Sequence, residues 1–314
     1  MIWLPDKRFL QEASLIFAFG AGRSGKTTVA RLASSFKGVN HIDEYWPLLA
    51  LSIAANNEEI SAETFSSISK CMISELQNDS ALLRFANFRP RDESSIFKYK
   101  SKREILKRLL KLESRDDSAQ YIEDENYKLW MTCTDLTICE HLFQKTFQHS
   151  QRVLIVRHPA EVAFETVRKK WFSDETLLNP TANTPTIKYS ATRLKVDLYL
   201  PWWLPRNEYD FWVDSDEFTR GLVYWKVMHS NYLIDSGEIS KFAMLITWNS
   251  LFQSPEKIIS KLEALLQKEA TEKSYRIIKS LNNYSFKNIA VSSSSEAVLQ
   301  ELQPLITKFN LTKN

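Results

Sequence analysis

Apolar residues in this chain fall into short uninterrupted runs separated by stretches with helical spacing. Ser14–Phe19 (SLIFAF) is one such run, and it stops at a glycine cluster. Thr27–Phe36 (TTVARLASSF) follows with apolar positions on one helical face, so the order is strand, glycine loop, helix. Val39–Ile42 (VNHI) predicts a second short strand closing on Asp43 and Glu44. From about Pro47 to Tyr127 the apolar period becomes helical and glycine disappears. Helices are expected over Glu59–Leu76, Ser80–Ala86 and Ser101–Leu112, with a polar break at Asn87–Ser95. Strand character returns at Leu129–Thr134 (LWMTCT), ending at Asp135, and a helix is expected over Leu136–Gln148. Arg152–Val156 (RVLIV) predicts a core strand, with a helix from after Arg157 through Trp171. Residues 172–216 hold prolines and dense aromatics without a period. Phe218–Ile234 then predicts a helix, Phe242–Trp248 a strand and Pro255–Leu266 a helix. A serine run at Ser292–Ser295 and a short amphipathic segment end the chain.

Strands alternating with helices imply an α/β fold: three layers, with a central, mostly parallel sheet covered on both faces. We read residues 1–314 as a single domain with a helical insertion after the second strand (51–128) and an aromatic-rich irregular insertion (172–216). No internal repeat is present. Composition narrows the classes further. With 44% hydrophobic and 25% charged residues, whole-chain disorder is excluded. The net charge of +3, from 41 basic and 38 acidic residues, is too even for a dedicated nucleic-acid binder. No apolar run approaches the ~18 residues of a transmembrane segment. Met1–Glu12 carries Asp6, Lys7, Arg8 and Glu12 and lacks the apolar core of a signal peptide. Cys71, Cys133 and Cys139 are too few and too irregular for a disulfide framework or a zinc site, and no metal site is expected. A cytoplasmic location follows most simply.

Glycine changes the picture most. The chain has only 6 glycines, and Gly20, Gly22 and Gly25 lie within six positions. The segment GAGRSGKT at 20–27 has two glycines flanking four residues and then Lys26-Thr27, the P-loop pattern. Amide N–H groups must turn inward to surround a phosphate, and side chains at the flexed positions would block them. The helix opening at Lys26 adds free amides and a positive dipole end, Lys26 a mobile charge, and Thr27 a hydroxyl. A phosphorylated nucleotide is the expected ligand.

Arg23-Ser24-Gly25 followed by Thr27-Thr28 resembles the 5′-phosphosulfate loop of sulfotransferases, whose donor is 3′-phosphoadenosine 5′-phosphosulfate (PAPS). Lys26 differs, being the lysine of ATP- and GTP-using P-loop proteins. Arg152–Trp171 (RVLIVRHPAEVAFETVRKKW) resembles the family's 3′-phosphate segment, a strand ending in Arg-x-Pro with a helix at once. The resemblance implies that Arg157 meets the 3′-phosphate. Glu165 stands where the family places a serine. Phe242–Leu266, and Trp225-Lys226 before it, resemble the end of bacterial sulfotransferase domains, whereas the glycine-rich C-terminus of cytosolic animal enzymes is missing. The implied nucleotide-binding set is Gly22, Arg23, Ser24, Gly25, Lys26, Thr27, Thr28, Arg157 and Glu165.

Sulfuryl transfer needs cations for charge gathering on the sulfonate and the leaving phosphate, and a base for the acceptor. Lys26 and Arg23 are the nearest cations. The base is expected at the end of the second strand, where Glu44 is the first choice, Asp43 the second, and His41 a neighbour. His158 has two readings, a phosphate contact or a packing residue. His141 and His149 read as surface positions. The alternative is an ATP- and Mg-dependent kinase of a small molecule or nucleotide, with a basic lid at Arg168-Lys169-Lys170 or Arg193–Arg206 and Asp135 as its metal-side aspartate. A motor-type NTPase lacks its sensor arginine here. The acceptor would be a glycan or other small molecule. Trp202, Trp203 and Trp212 would either stack on sugar rings, face a lipid, or form the insertion's own core. Arg89 and Arg91 would bind an anionic acceptor or sit in a solvated loop.

Overall fold

Strand β1 (Leu15–Gly20) is buried at every position. A strand with no polar side chain to solvate belongs in the middle of a parallel sheet, with helices on both faces. The computed structural model, which describes residues 9–92, 95–180, 185–191, 196–234, 241–281 and 292–311, places it there. β2 (Val39–Ile42), β3 (Lys128–Thr134), β4 (Gln151–Val156) and β7 (Met244–Thr247) complete a five-stranded sheet in the order β2-β3-β1-β4-β7. All four pairings are parallel, with Leu15 opposite Leu129 and Val153 opposite Met244. β5 (Thr186–Ala191) and β6 (Val196–Pro201) form a separate antiparallel hairpin.

Alternating side chains of the sheet feed two apolar layers. On one face, Ile16, Ala18, Trp130, Val153 and Ile155 pack against helix α1 (Lys26–Ser34) and the helices Pro255–Leu266 and Glu272–Lys279. On the other, Phe17, Phe19, Met131 and Leu154 meet α3 (Ala62–Ala81), α7 (Glu140–Thr146), α8 (Pro159–Arg168), α11 (Glu217–His229) and the helix Ser293–Lys308. Between β2 and β3 the chain also forms α2 (Trp46–Asn56), α4 (Ile96–Tyr99), α5 (Lys102–Lys111) and α6 (Arg115–Asp124). Within 172–216 it forms α9 (Asp174–Leu178) and α10 (Tyr209–Asp214).

The strand order fixes where a ligand can bind. From β1 the chain crosses over β3 to reach β2, using α1 on one face; from β3 it crosses over β1 to reach β4, using α7 on the other. The two crossovers leave β1 and β3 in opposite directions, which opens a crevice at their C-terminal ends. The glycine loop and Asp135 lie at those two ends.

Several expectations need correction. Residues 80–86 do not form a helix of their own: α3 runs on to Ala81, and Leu83 at φ +63° ends it. The segment after β3 is a 3₁₀ turn (Thr137–Cys139) followed by the shorter α7. α8 stops at Arg168, because Lys170 at φ +54° turns the chain before Trp171. The stretch 172–216 is not irregular, since the hairpin and two helices account for much of it. The C-terminal segment is a 16-residue helix whose start is capped by the Ser292 side chain. Among the described residues no helix is long and apolar enough to cross a membrane.

Candidate active site

The glycine loop links β1 to α1 through backbone torsions that few residues accept. Gly25 sits at φ +96°, and a Cβ there would run into the ring of Trp248. Gly22 approaches so closely that a Cβ would lie 2.6 Å from the ring of Trp171. Arg23 itself holds φ +64°, a conformation that costs a non-glycine residue about 1 kcal/mol or more. The strain curls the loop around the N-terminus of α1. Ser24 is fully buried, and its Oγ and the Arg23 Nε have no partner among the described residues. Both can donate a hydrogen bond, as an anion at a glycine loop would require.

Lys26 folds back over this loop, its Nζ 2.7 Å from the Gly20 carbonyl and 2.5 Å from that of Ala21. Burial lowers its pKa to about 8, against the attraction of Asp135 and Glu44, which raise it. Thr27 is exposed and Thr28 half-buried on the first turn of α1. Gly20 N–H donates to the Thr137 hydroxyl at 3.1 Å, tying the loop to the turn after β3.

Asp135, the residue after β3, holds φ +59°. Its carboxylate accepts a short hydrogen bond from the Tyr224 hydroxyl, which in turn accepts from Gly22 N–H. Burial pushes Asp135 up to about 6, despite the Tyr224 hydrogen bond and the Lys26 charge. Loop, aspartate and α11 thus share one hydrogen-bonded chain. Sequence reading had reached Asp135 only as a metal-side aspartate and had not singled out Tyr224, whose partner is 89 residues distant.

Arg157 stands just past β4. Its Nη1 is 3.4 Å from the Arg23 carbonyl, its guanidinium lies 5.0 Å from the Trp248 ring centre, and Trp225 Nε1 donates to its carbonyl at 2.9 Å. Two carboxylates of α8 hold the arginines. Glu161 pairs with Arg157 Nε at 2.6 Å, and Glu165 pairs with Arg23 Nη2 at 3.0 Å and Arg168 Nη2 at 2.7 Å. Burial works against it, yet hydrogen bonds from Arg168 and Arg23 hold the Glu165 carboxyl below its ordinary value. His158 is buried and caps α8, its Nδ1 accepting from Ala160 N–H at 3.2 Å.

Beside the loop a cleft of ≈ 590 Å³ opens between Glu44, Trp46, Asp135, Lys169, Lys170 and Trp171. Of the three candidate bases only Glu44 lines it. Asp43 lies beside His41, 3.9 Å from its Nε2, and burial together with Glu44 pushes its carboxyl up to about 6. His41 is bonded to Ser34 at 2.8 Å, and burial lowers it to about 4. Trp202, Trp203 and Trp212 are buried: Trp203 and Trp212 pack edge-to-face at 5.3 Å, and both meet Phe172. The aromatics at the cleft are instead Tyr45, Trp46 and Trp171, none of which stands out in the sequence. Arg89 and Arg91 are exposed in the loop after α3. Of the two basic lid segments, Lys169 and Lys170 reach the cleft, Arg206 opens a 3₁₀ turn, and Arg193 lies outside the described residues. No cluster of metal-ligating side chains occurs among the described residues.

No protein-family model matches the chain, and no curated protein matches its sequence. Solved structures similar to it include two sulfotransferases. One is a sulfotransferase domain from the olefin synthase of Synechococcus PCC 7002, at 11% identity and TM-score 0.45, covering 92% of this chain and 94% of that one. The other is the sulfotransferase STF9 from Mycobacterium avium, at 10% identity and TM-score 0.47, covering 98% of this chain and 80% of that one.

Proposed function

We propose that the protein transfers a sulfuryl group from PAPS to a hydroxyl or amine of a glycan or other small-molecule acceptor. One observation supports this reading: two cationic groups stand side by side at the crevice. The first is the glycine loop with Arg23, Lys26 and the α1 N-terminus. The second is Arg157, set against the loop carbonyl of Arg23 and the face of Trp248. PAPS carries charge at both ends, on the 5′-phosphosulfate and on the 3′-phosphate. ATP carries its phosphates in a single chain and has no use for the second site.

The unpartnered Ser24 Oγ, the Arg23 Nε and the side-chain-free Gly22 and Gly25 suit the 5′-phosphosulfate. When bound, the nucleotide supplies the sulfuryl group and departs as 3′-phosphoadenosine 5′-phosphate (PAP). Lys26 and Arg23 neutralise charge at the leaving oxygen. Glu44, at the cleft wall, takes the acceptor proton. Glu161 and Glu165 hold the two arginines in place of phosphate and yield them when the ligand enters.

A second reading, an ATP–Mg kinase, is favoured by the electrostatic coupling of Asp135 to Lys26. Thermal unfolding separates the two. PAP at about 100 times its dissociation constant should stabilise the protein by roughly 2.7 kcal/mol, and ATP–Mg should not match it at equal concentration. Stabilisation by ATP–Mg alone would sink the sulfotransferase reading.

A further inference from the structure

Helix α5 has an apolar face too many. Its inner side is accounted for by buried Ile105 and Arg108, the latter bonded to Asn40 and to the Ser80 and Ala81 carbonyls. Leu106, Leu109 and Leu110, three and four positions apart and so neighbours on the helix surface, are 56%, 49% and 69% exposed. Cations surround these leucines. Lys102, Arg103 and Lys111 have no ion-pair partner among the described residues, and Lys107 reaches Glu125 at 3.1 Å. Exposed Phe85 and Phe88 follow α3, and α4 adds exposed Phe97, which packs on Phe88.

Charge is concentrated here as well. Residues 84–111 hold ten basic and three acidic side chains, a net +7 against −4 for the rest of this +3 chain, and only Lys100 and Arg108 of the ten are buried. Apolar tips ringed by long cationic side chains match an anionic bilayer surface. Leucines enter the headgroup–acyl boundary while lysines and arginines stay with the phosphates. A nucleic-acid backbone would use the cations but leave the leucines in water.

We propose that α5 docks the protein on an anionic lipid surface. The face is remote from the crevice: Lys100, just before α5, bonds the Phe36 carbonyl beyond the C-terminal end of α1, while the glycine loop lies at its N-terminal end. The protein therefore lies on the membrane with its cleft free.

The test is co-sedimentation of the full chain with phosphatidylserine-containing vesicles and with pure phosphatidylcholine vesicles. Binding should be at least tenfold tighter to the former and weaken with salt, since each basic residue near such a surface is worth about fivefold. Leu106→Ser/Leu109→Ser/Leu110→Ser and, separately, Lys102→Gln/Arg103→Gln/Lys111→Gln should each weaken it about tenfold or more, with melting temperature and PAP response unchanged. Failure of the wild-type chain to bind phosphatidylserine vesicles would overturn the proposal. So would binding that survives both triple variants, or binding to heparin or duplex DNA without binding to vesicles.

Discussion

Glu165 belongs to the region that reads as a 3′-phosphate site, yet it is an acid among the cations. The geometry shows what it does: it bridges Arg23 and Arg168 across 142 and 3 residues of sequence. A phosphate entering beside Arg23 must compete with this carboxylate. Glu165→Ser removes the competitor, so PAP affinity measured by calorimetry should rise roughly tenfold, the worth of one charge-assisted hydrogen bond. An unchanged affinity would show that the carboxylate does not guard the site. Lys26 gives a pH signature with a definite sign. Burial lowers its pKa to about 8, so it is cationic below that pH and neutral above it. PAP affinity should hold steady up to about pH 8 and fall as pH rises further, whereas Lys26→Met should be weaker and lose that limb. The Glu165–Arg168 pair is local to α8, but the Glu165–Arg23 pair was not legible in the chain, because it joins residues 142 apart that only the folded sheet brings together.

Elements were more legible than contacts, for physical reasons that differ from one to the next. β1 and β4 show as apolar runs because both faces of a central parallel strand are buried. The helix Pro255–Leu266 has proline at its first position and a regular apolar stripe, and its observed ends coincide with those expected from sequence. The β5–β6 hairpin escaped because TIKYSA and VDLYLP mix exposed polar residues with only a few inward ones. α6 escaped because its ten residues bury only Ser118 and Ile122, leaving no apolar face to see. The aromatic content of 172–216 turns out to be packing. Trp212 is fully buried against Trp203 and Phe172, beside Tyr224. Trp212→Ala should cost about 3–5 kcal/mol in urea-unfolding experiments. It should also weaken PAP binding, because Phe172 and Trp203 are what hold Tyr224 against the loop.

At the level of the whole molecule, the strand order does more for the site than any one residue. Oppositely directed crossovers from β1 and β3 leave a crevice that the glycine loop, Asp135 and Arg157 all reach from separate strands. The loop motif announced one wall of that crevice in the sequence, and Arg157 a second. Asp135 stands out in the sequence only as a residue that ends a strand, and its partner Tyr224 not at all, because α11 brings that hydroxyl to it from 89 residues away. The contacts that deny side chains to Gly22 and Gly25 have an optical consequence. Two indoles, Trp171 and Trp248, lie against the glycine loop itself. Any ligand that lifts Lys26 or shifts the loop must alter the polarity around both rings. If a ligand does enter there, tryptophan fluorescence should report its arrival, through the residues that forced those positions to be glycine.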